Sequence, residues 1–391
     1  YLPMLRWFAA YWLLFAGLMA IATILLWPRG RERGKRRLKM AAPRFVGATR
    51  LIGVANLLLW LAVGGWVFWN TMILNTLRSP SEDQQAQALY EKENRSLAER
   101  PQPRVSHVSY QIDLYPEQRK LDIQAQQTLI NQTEEVVDEI YVTASSDYDI
   151  QVEIEGAKLK SKDDTESLWT YAVDPPMQPH DTRTMKFQFH YQPHGFENSL
   201  TMSAVVENGT FFNTGIMPQV GYQKNWELKE KEDREEEGLE GLSYVSLDPE
   251  NLAARQNTYI SNNSDWVDVE TVFSTSGDQL AIAPGSLVER WEKDGRNYFR
   301  YKLDHPSLNF YSFISARYKV AIREMGDVNL EVYYHPDHEW NVDIMLRSME
   351  ASLKYCTENF GPYYHQQARI VEFPRVATFA QAFPGTMPYS E

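Results

Sequence analysis

Two short stretches hold the side chains best suited to chemistry. The first, "HPDHEW", places His335, His338 and Glu339 close together. Imidazole and carboxylate groups are common ligands of zinc. Zinc peptidases, however, often hold the metal with His-Glu-x-x-His on a helix, which puts two histidines four residues apart on one face. Because the order here is His-x-x-His-Glu, we expect a helix N-terminal loop instead, with Asp337 or His338 near the cap.

The second stretch contains the single cysteine, Cys356. A lone cysteine excludes a disulfide within the chain. A nucleophilic cysteine would need a nearby base and electropositive surroundings. Cys356 instead shares a helical spacing of three and four residues with apolar positions such as Met345, Met349 and Phe360. The pattern therefore predicts a helix that ends near Gly361 and gives Cys356 a place in the core.

The remaining sequence contains no other catalytic motif. His-Glu-x-x-His, a serine nucleophile elbow and a phosphate-binding glycine loop are all missing from the 391 residues. The acidic stretch 227–242, "ELKEKEDREEEGLEGL", alternates in sign and lacks the ligand spacing of a calcium loop, so we expect a solvated face. Beyond residue 77 the chain is strongly acidic, which argues against nucleic acid as a partner.

The first 77 residues have the composition of a membrane hairpin. Residues 7–27 and 51–77 carry no charged side chain. About 20 apolar residues are enough to cross a hydrocarbon core of about 30 Å. The loop between them, 28–50, is rich in Lys and Arg, and such loops face the cytoplasm. We therefore expect a multi-pass protein of the plasma (inner) membrane in contact with the lipid bilayer, with residues 78–391 extracytoplasmic.

The extracytoplasmic part divides into three segments. Residues 78–103 are polar and rich in helix formers, which predicts a solvated helical spacer. Residues 104–322 contain many runs of alternating apolar and polar residues, such as Val108 to Leu114, and predict a mainly-β saddle or sandwich. Residues 323–391 predict strand, helix, strand and strand, the opening of an α+β domain.

Several ordered stretches resemble one family. The segments "NGTFFNTGIMPQVGYQ", "APGSLVERWEKDGRNYFRYKLDHPSLNFYSFISARYKV", "FGPYY" and "FPGTMPYSE" resemble aminopeptidase N-type zinc metallopeptidases. The first and the last of these segments resemble in particular a bacterial subgroup in which the peptidase follows an ABC-type exporter permease. The resemblance covers roughly residues 50–391. It implies a thermolysin-like second domain and an internal fragment that ends before the zinc-binding helix.

The resemblance also implies which residues bind substrate. In the family a strand with Gly-x-Met-Glu-Asn precedes the zinc helix, and its Glu binds the α-amine of the substrate. Alignment of Gly385 and Met387 with this pattern puts Pro388 at the Glu position, whereas the preferred register puts Glu391 there. A family Gln near the bound amine corresponds to Asn213 in "FFNTG". The zinc ligands are expected downstream of residue 391, so neither a catalytic residue nor a metal ligand is predicted within the chain.

Two functional hypotheses follow. The first is a membrane-anchored zinc aminopeptidase that removes N-terminal residues from peptides and is linked to an ABC-type permease. The second is an ABC transporter permease component whose peptidase-like ectodomain is inactive and binds or gates substrate. Both include a peptide ligand and an ABC ATP-binding subunit as partners. An HExxH motif on a helix beyond these residues would favour the enzyme.

Overall fold

A computed structural model describes residues 2–27, 34–75, 79–163, 167–196, 205–242, 250–251, 264–375 and 379–391. The chain divides into two compact units. The first contains Tyr1–Ser79 and Pro193–Thr201, and the second contains Pro80–Gln192 and Met202–Glu391. Part of the predicted basic loop, residues 28–33, lies outside the described residues.

The first unit is built on helices. They are α1 (Leu2–Leu26), α2 (Lys35–Ala41) and α3 (Gly47–Phe68), the last of which continues as a π-helical turn, Trp69–Leu74. Helices α1 and α3 pack against each other where glycine allows close approach. A Cβ atom at Gly17 would lie 2.3 Å from the side-chain nitrogen of Asn56.

Two of these helices are long and apolar enough to cross a membrane, Met4–Leu26 and Gly47–Leu74. Their apolar side chains are largely exposed, as shown by Leu13 at 72% and Leu51 at 73%. A core helix of a soluble protein would bury such side chains. Their length, composition and exposure are consistent with the predicted hairpin, while the direction in which the chain crosses stays a prediction.

The second unit begins with α4 (Pro80–Asn94), within the segment predicted to be a solvated spacer. That part of the prediction is wrong, because one face of the helix is buried. Tyr90 is 2% exposed and stacks on Tyr222 at a centroid distance of 4.9 Å. Its hydroxyl also accepts the backbone N–H of Gln223 at 2.7 Å. The large apolar ring of Tyr90 therefore docks α4 onto the β-rich part of the same unit.

The β-rich part contains fourteen strands among the described residues. In chain order they are β1 (Arg104–Tyr115), β2 (Lys120–Ile130), β3 (Val137–Thr143), β4 (Asp149–Ile154), β5 (Ala157–Asp163), β6 (Leu168–Met177), β7 (Thr182–Tyr191), β8 (Thr210–Asn213), β9 (Gln219–Val220), β10 (Ser264–Ser276), β11 (Leu280–Ile282), β12 (Ser286–Lys293), β13 (Arg296–Lys302) and β14 (Ser312–Ala316). A short helix, α5 (Lys231–Glu236), lies between β9 and β10.

These strands form three sheets around a common core. The orders are β12-β13-β10-β1-β2-β7-β4, β5-β6-β3-β9 and β11-β14-β8. One face of the large sheet buries the predicted alternating residues, among them Val108, Ile112 and Leu114. They belong to one apolar cluster with Val142 from the second sheet and Phe313 from the third. The predicted mainly-β domain is therefore present as packed sheets with a shared interior.

Most acids of the stretch 227–242 are exposed, as its charges predicted, but one of its basic residues is buried. Arg234 in α5 is 1% exposed and forms a bidentate pair with Glu91 in α4, with both N–O distances at 2.7 Å. Arg234 also donates to the carbonyl oxygens of Leu228 and Glu240. Glu91 is fully buried and accepts a further bond from Arg95. A buried charge needs such complete pairing, so the run of acids conceals an internal ion pair.

The last part of the chain forms a smaller sheet and a helix. Its strands are β15 (Lys319–Met325), β16 (Val328–Tyr334), β17 (Gln367–Phe373) and β18 (Thr386–Ser390), in that order across the sheet. Strands β16, β17 and β18 run parallel, whereas β15 is antiparallel to β16. Helix α6 (Val342–Phe360) connects β16 with β17 and packs on β15 and β16.

The predicted core position of Cys356 in helix α6 is wrong. The helix ends at Phe360, and Gly361 follows with φ +128°, as its sequence predicted. Its buried side chains, however, are Val342, Leu346 and Met349, all in its first half. Cys356 is exposed, and Phe360 is 81% exposed. The apolar spacing predicted the helix correctly, but among the described residues the sheet covers only its N-terminal half.

Candidate functional site

Three parallel strands bring distant polar residues to one edge of the small sheet. His335 follows β16, Glu372 lies next to the end of β17, and Glu391 follows β18. Because β16, β17 and β18 are neighbours and run in the same direction, their carboxyl ends meet. This edge of an open α/β sheet is a frequent place for ligand sites.

Glu372 is the fixed centre of this edge. Its side chain is 4% exposed, and its Oε2 atom accepts the backbone N–H of His335 at 2.9 Å. Its Oε1 atom contacts Nδ1 of His338. The buried hydroxyl of Tyr318 donates to the backbone carbonyl of the same residue. A buried carboxylate needs partners of this kind, and together they hold Glu372 in one position.

His338 lies in the loop before helix α6, as its sequence predicted, but it does not cap that helix. Helix α6 begins after Asn341, and no side-chain capping bond is made there. The ring of His338 instead contacts Glu372, and this hydrogen bond, with the negative charges of Glu372, Glu391 and Asp337, raises the pKa of His338 above its ordinary value of 6.5. His338 therefore keeps its proton to a higher pH than an unperturbed histidine and loses it as the pH rises through the raised pKa.

Glu391 completes the group and faces a small pocket. Its Oε2 atom lies 3.8 Å from Nδ1 of His338, and its Oε1 atom accepts the backbone N–H of Arg375 at 3.5 Å. Its side chain is 41% exposed. The carboxylate is thus oriented by two long contacts while it remains open to a ligand.

The pocket lies where the small sheet meets the β-rich part of the same unit. It is lined by Asn208, Gly209, Ala316, Arg317, Tyr318, His335, Glu372, Phe373, Pro374 and Glu391. One wall depends on a close approach between Gly209, at φ +100°, and the ring of Pro374. A Cβ atom at Gly209 would lie 2.1 Å from Cδ of Pro374, so only glycine fits there.

The predicted substrate residue Asn213 lies at the far end of strand β8, which follows Gly209. Its Oδ1 atom accepts the backbone N–H of Gly215 at 2.8 Å. At about 3.3 Å per residue of extended chain, Asn213 is about 13 Å from Gly209. The structure brings Glu391 together with His338 and Glu372, and Asn213 is not among the residues that line this pocket.

The side chains at this edge of the sheet include types that bind zinc, so their spacing can be compared with that of zinc ligands. His338, Glu372 and Glu391 are zinc-ligand types, and one candidate ligand atom of each lies within 4.8 Å of the others. Ligands of a tetrahedral zinc must stand more than about 3 Å apart, since each metal bond is about 2.0–2.3 Å long. His338 and Glu372 are in direct hydrogen-bond contact, so in the observed arrangement these two atoms share a proton and are too close together to be ligands of one zinc ion.

Glu372 was not singled out by its sequence, although a signal was present. It is the only acid in "ARIVEF", a strand in which every residue except Ile370 is buried. A charge within an almost entirely buried strand needs a partner. That partner, His338, belongs to a stretch that the sequence did single out, but for a different purpose.

Comparison with known proteins finds solved structures with a similar fold, and no match to a family model or to a curated protein. An M1 zinc metallopeptidase from Deinococcus radiodurans has a TM-score of 0.51 at 11% identity, over 75% of this chain and 61% of that one. A mutant of an M1 zinc metallopeptidase from the same organism has a TM-score of 0.50 at 12% identity, over 75% and 61%.

A third structure, a two-domain M1 zinc metallopeptidase mutant bound to L-arginine, has a TM-score of 0.50 at 12% identity, over 75% of this chain and 62% of that one. The chain thus spans about three fifths of the length of these structures. The fold over three quarters of this chain is similar to that of M1 zinc metallopeptidases, as the sequence resemblance implied.

Proposed function

We propose that this chain is part of a membrane-anchored zinc aminopeptidase that removes N-terminal residues from peptides and is linked to an ABC-type permease. The observation that carries the proposal is the position of Glu391, an oriented, half-exposed carboxylate beside a pocket at the carboxyl edge of parallel strands. A carboxylate in such a place suits the α-ammonium group of a peptide. The likeness of the fold to M1 zinc metallopeptidases supports the same reaction class.

In this proposal the residues of the chain bind and orient the peptide. Glu391 accepts hydrogen bonds from the ammonium group and so determines which peptide bond is first in line for cleavage. Zinc would be held by residues outside these 391, and when bound it would polarise the attacking water and the scissile carbonyl. No His-Glu-x-x-His occurs in the present sequence to hold it.

The first prediction tests this activity in the full-length protein purified in detergent. We expect cleavage of leucyl-anilide that is abolished by a chelator and restored by zinc. N-acetylation of the substrate removes the positive charge that Glu391 binds, and should lower kcat/KM by about 30-fold or more, because loss of one partner of a desolvated charge pair costs about 2 kcal/mol or more. A stable protein that binds the anilide and leaves it intact would instead favour the inactive, substrate-binding ectodomain.

The second prediction concerns orientation in the plasma membrane. Six Lys and Arg side chains lie between residues 34 and 50, with no acid among them, and this favours a cytoplasmic loop. In a Cys356→Ser background, we expect Ser161→Cys to react with an impermeant thiol reagent in intact spheroplasts. Lys39→Cys should react only after the membrane is permeabilised. The background substitution is needed because Cys356 is exposed. Labelling with the opposite pattern would reverse the proposed topology.

A further inference from the structure

We infer that His338 is a positioning residue for the amine anchor: it orients the Glu391 carboxylate, and its positive charge competes with the ammonium group of the substrate. The inference rests on the proposed function, since it assumes that Glu391 binds an ammonium. It adds a second residue to the site and makes peptide binding dependent on pH in a direction that can be measured.

The first step is that contact with Glu372 fixes the position of the His338 ring. The carboxylate of Glu372 is buried and accepts the backbone N–H of His335, while the hydroxyl of Tyr318 donates to the backbone carbonyl of Glu372. Contact with this immobile carboxylate determines where Nδ1 of His338 lies. The side chain of His338 is itself 29% exposed, so without Glu372 it would have many rotamers available.

The second step is that the same nitrogen faces the amine anchor. Nδ1 of His338 lies 3.8 Å from Oε2 of Glu391, which is within the range of an ion pair. The other oxygen of Glu391 has the backbone N–H of Arg375 at 3.5 Å. His338 therefore bridges two carboxylates that follow one another across parallel strands, one buried and one beside the pocket.

The third step concerns charge. When His338 is protonated, its imidazolium and a substrate ammonium are like charges that approach the same carboxylate, so each weakens the binding of the other. By linkage, a bound ammonium lowers the proton affinity of His338 by the factor by which the proton lowers ammonium affinity. Peptide binding should consequently strengthen as the pH rises through the titration of His338.

The charges of the groups around His338 are consistent with peptide binding that strengthens as the pH rises. Glu372 and Glu391 come from the strands, and His335, Asp337 and the ring of Trp340 come from its own turn. The first two and Asp337 favour the protonated ring, and their hydrogen bond and charges raise its pKa. The titration of His338 therefore lies above its ordinary value of 6.5.

The test compares KM for leucyl-anilide between pH 6 and pH 8.5 in the full-length zinc-loaded protein and in His338→Gln. Glutamine keeps a hydrogen-bond donor for Glu372 but has no charge. Substrate ionisation is common to both proteins and cancels in the ratio of their KM values. We expect the ratio of wild-type to variant KM to fall about fivefold over this range, the lower end of usual coupling factors.

His190→Gln is the matched control, because His190 also pairs with a carboxylate, Asp122 at 2.5 Å, but lies on β7 of the large sheet. Its KM should follow the wild type at every pH. A constant ratio for His338→Gln, in a protein whose activity depends on Glu391, would overturn this inference alone. Activity that does not depend on Glu391 would overturn the proposed anchor and the inference with it.

A second measurement does not rely on folding of the variant. The ring signals of His338 are titrated by NMR in the wild-type protein with and without saturating leucinamide. We expect the pKa of His338 to fall when leucinamide is bound. An unchanged pKa with leucinamide shown to be bound would contradict the competition, since two like charges at one carboxylate cannot be independent.

Discussion

Replacement of Glu391 by alanine in the full-length, zinc-loaded protein is expected to lower kcat/KM for leucyl-anilide by about 30-fold. Loss of one partner of a buried charge pair costs about 2–5 kcal/mol. Because the side chain of Glu391 is 41% exposed, the lower end of that range applies. At about 1.4 kcal/mol per tenfold change, 2 kcal/mol corresponds to about 30-fold. Steady-state kinetics at pH 7.5 would measure the change.

Three comparisons make this result specific. Glu391→Gln keeps the shape and loses the charge, so its kcat/KM should fall between those of the wild type and the alanine variant. Glu292→Ala, an exposed glutamate on β12, should leave kcat/KM within about twofold. Zinc content and thermal stability should stay close to wild type in all three. A change of less than about threefold in Glu391→Ala would contradict the anchor and favour the alternative register at Met387 and Pro388.

Loss of Arg234 should produce the largest effect on stability. Arg234→Ala leaves Glu91 buried and without its bidentate partner, and breaking a buried pair in this way costs about 3–5 kcal/mol. The second unit has about 300 residues, and at about 2.1 cal/mol/K of unfolding entropy per residue, 1 kcal/mol shifts its Tm by about 1.6 °C. We therefore expect Tm of the second unit to fall by about 5 °C or more, measured by differential scanning calorimetry of the purified protein.

The control for that result uses an exposed pair on the same helix. Lys231 and Glu235 lie 3.6 Å apart with their side chains 77% and 68% exposed. Lys231→Ala should change stability by less than about 0.5 kcal/mol. The double variant Glu91→Leu, Arg234→Met should recover most of the lost stability, because apolar replacement of both partners removes the unpaired charge. A double variant as unstable as Arg234→Ala would show that shape rather than charge determines the loss.

The elements with a strict local period could be read from the sequence. Alternation from Val108 to Leu114 predicted a strand with one buried face, and the structure buries those apolar residues. Gly361 ended helix α6 as predicted. These features depend on a few neighbouring residues, whose side-chain direction follows from the period of the backbone.

The candidate site could not be predicted in the same way, because its residues are distant in sequence and are brought together only by the order of the strands in the sheet. His338, Glu372 and Glu391 are separated by helix α6 and by β18, and only the parallel arrangement of three strands brings them together. The burial of Arg234 could not be predicted for a similar reason. Its partner, Glu91, lies 143 positions earlier in the chain, and nothing in the local charge pattern distinguishes it from its exposed neighbours.

The contact between Gly209 and Pro374 has a consequence for how this pocket can change during evolution. The width of the pocket there is determined by the main chain of Gly209 and the ring of Pro374, since glycine places no side chain between them. Substitution at position 209 can only force the walls apart, and it does so at the expense of a strained backbone. New ligand preferences would therefore arise through other residues that line the pocket, such as Asn208 and Arg317.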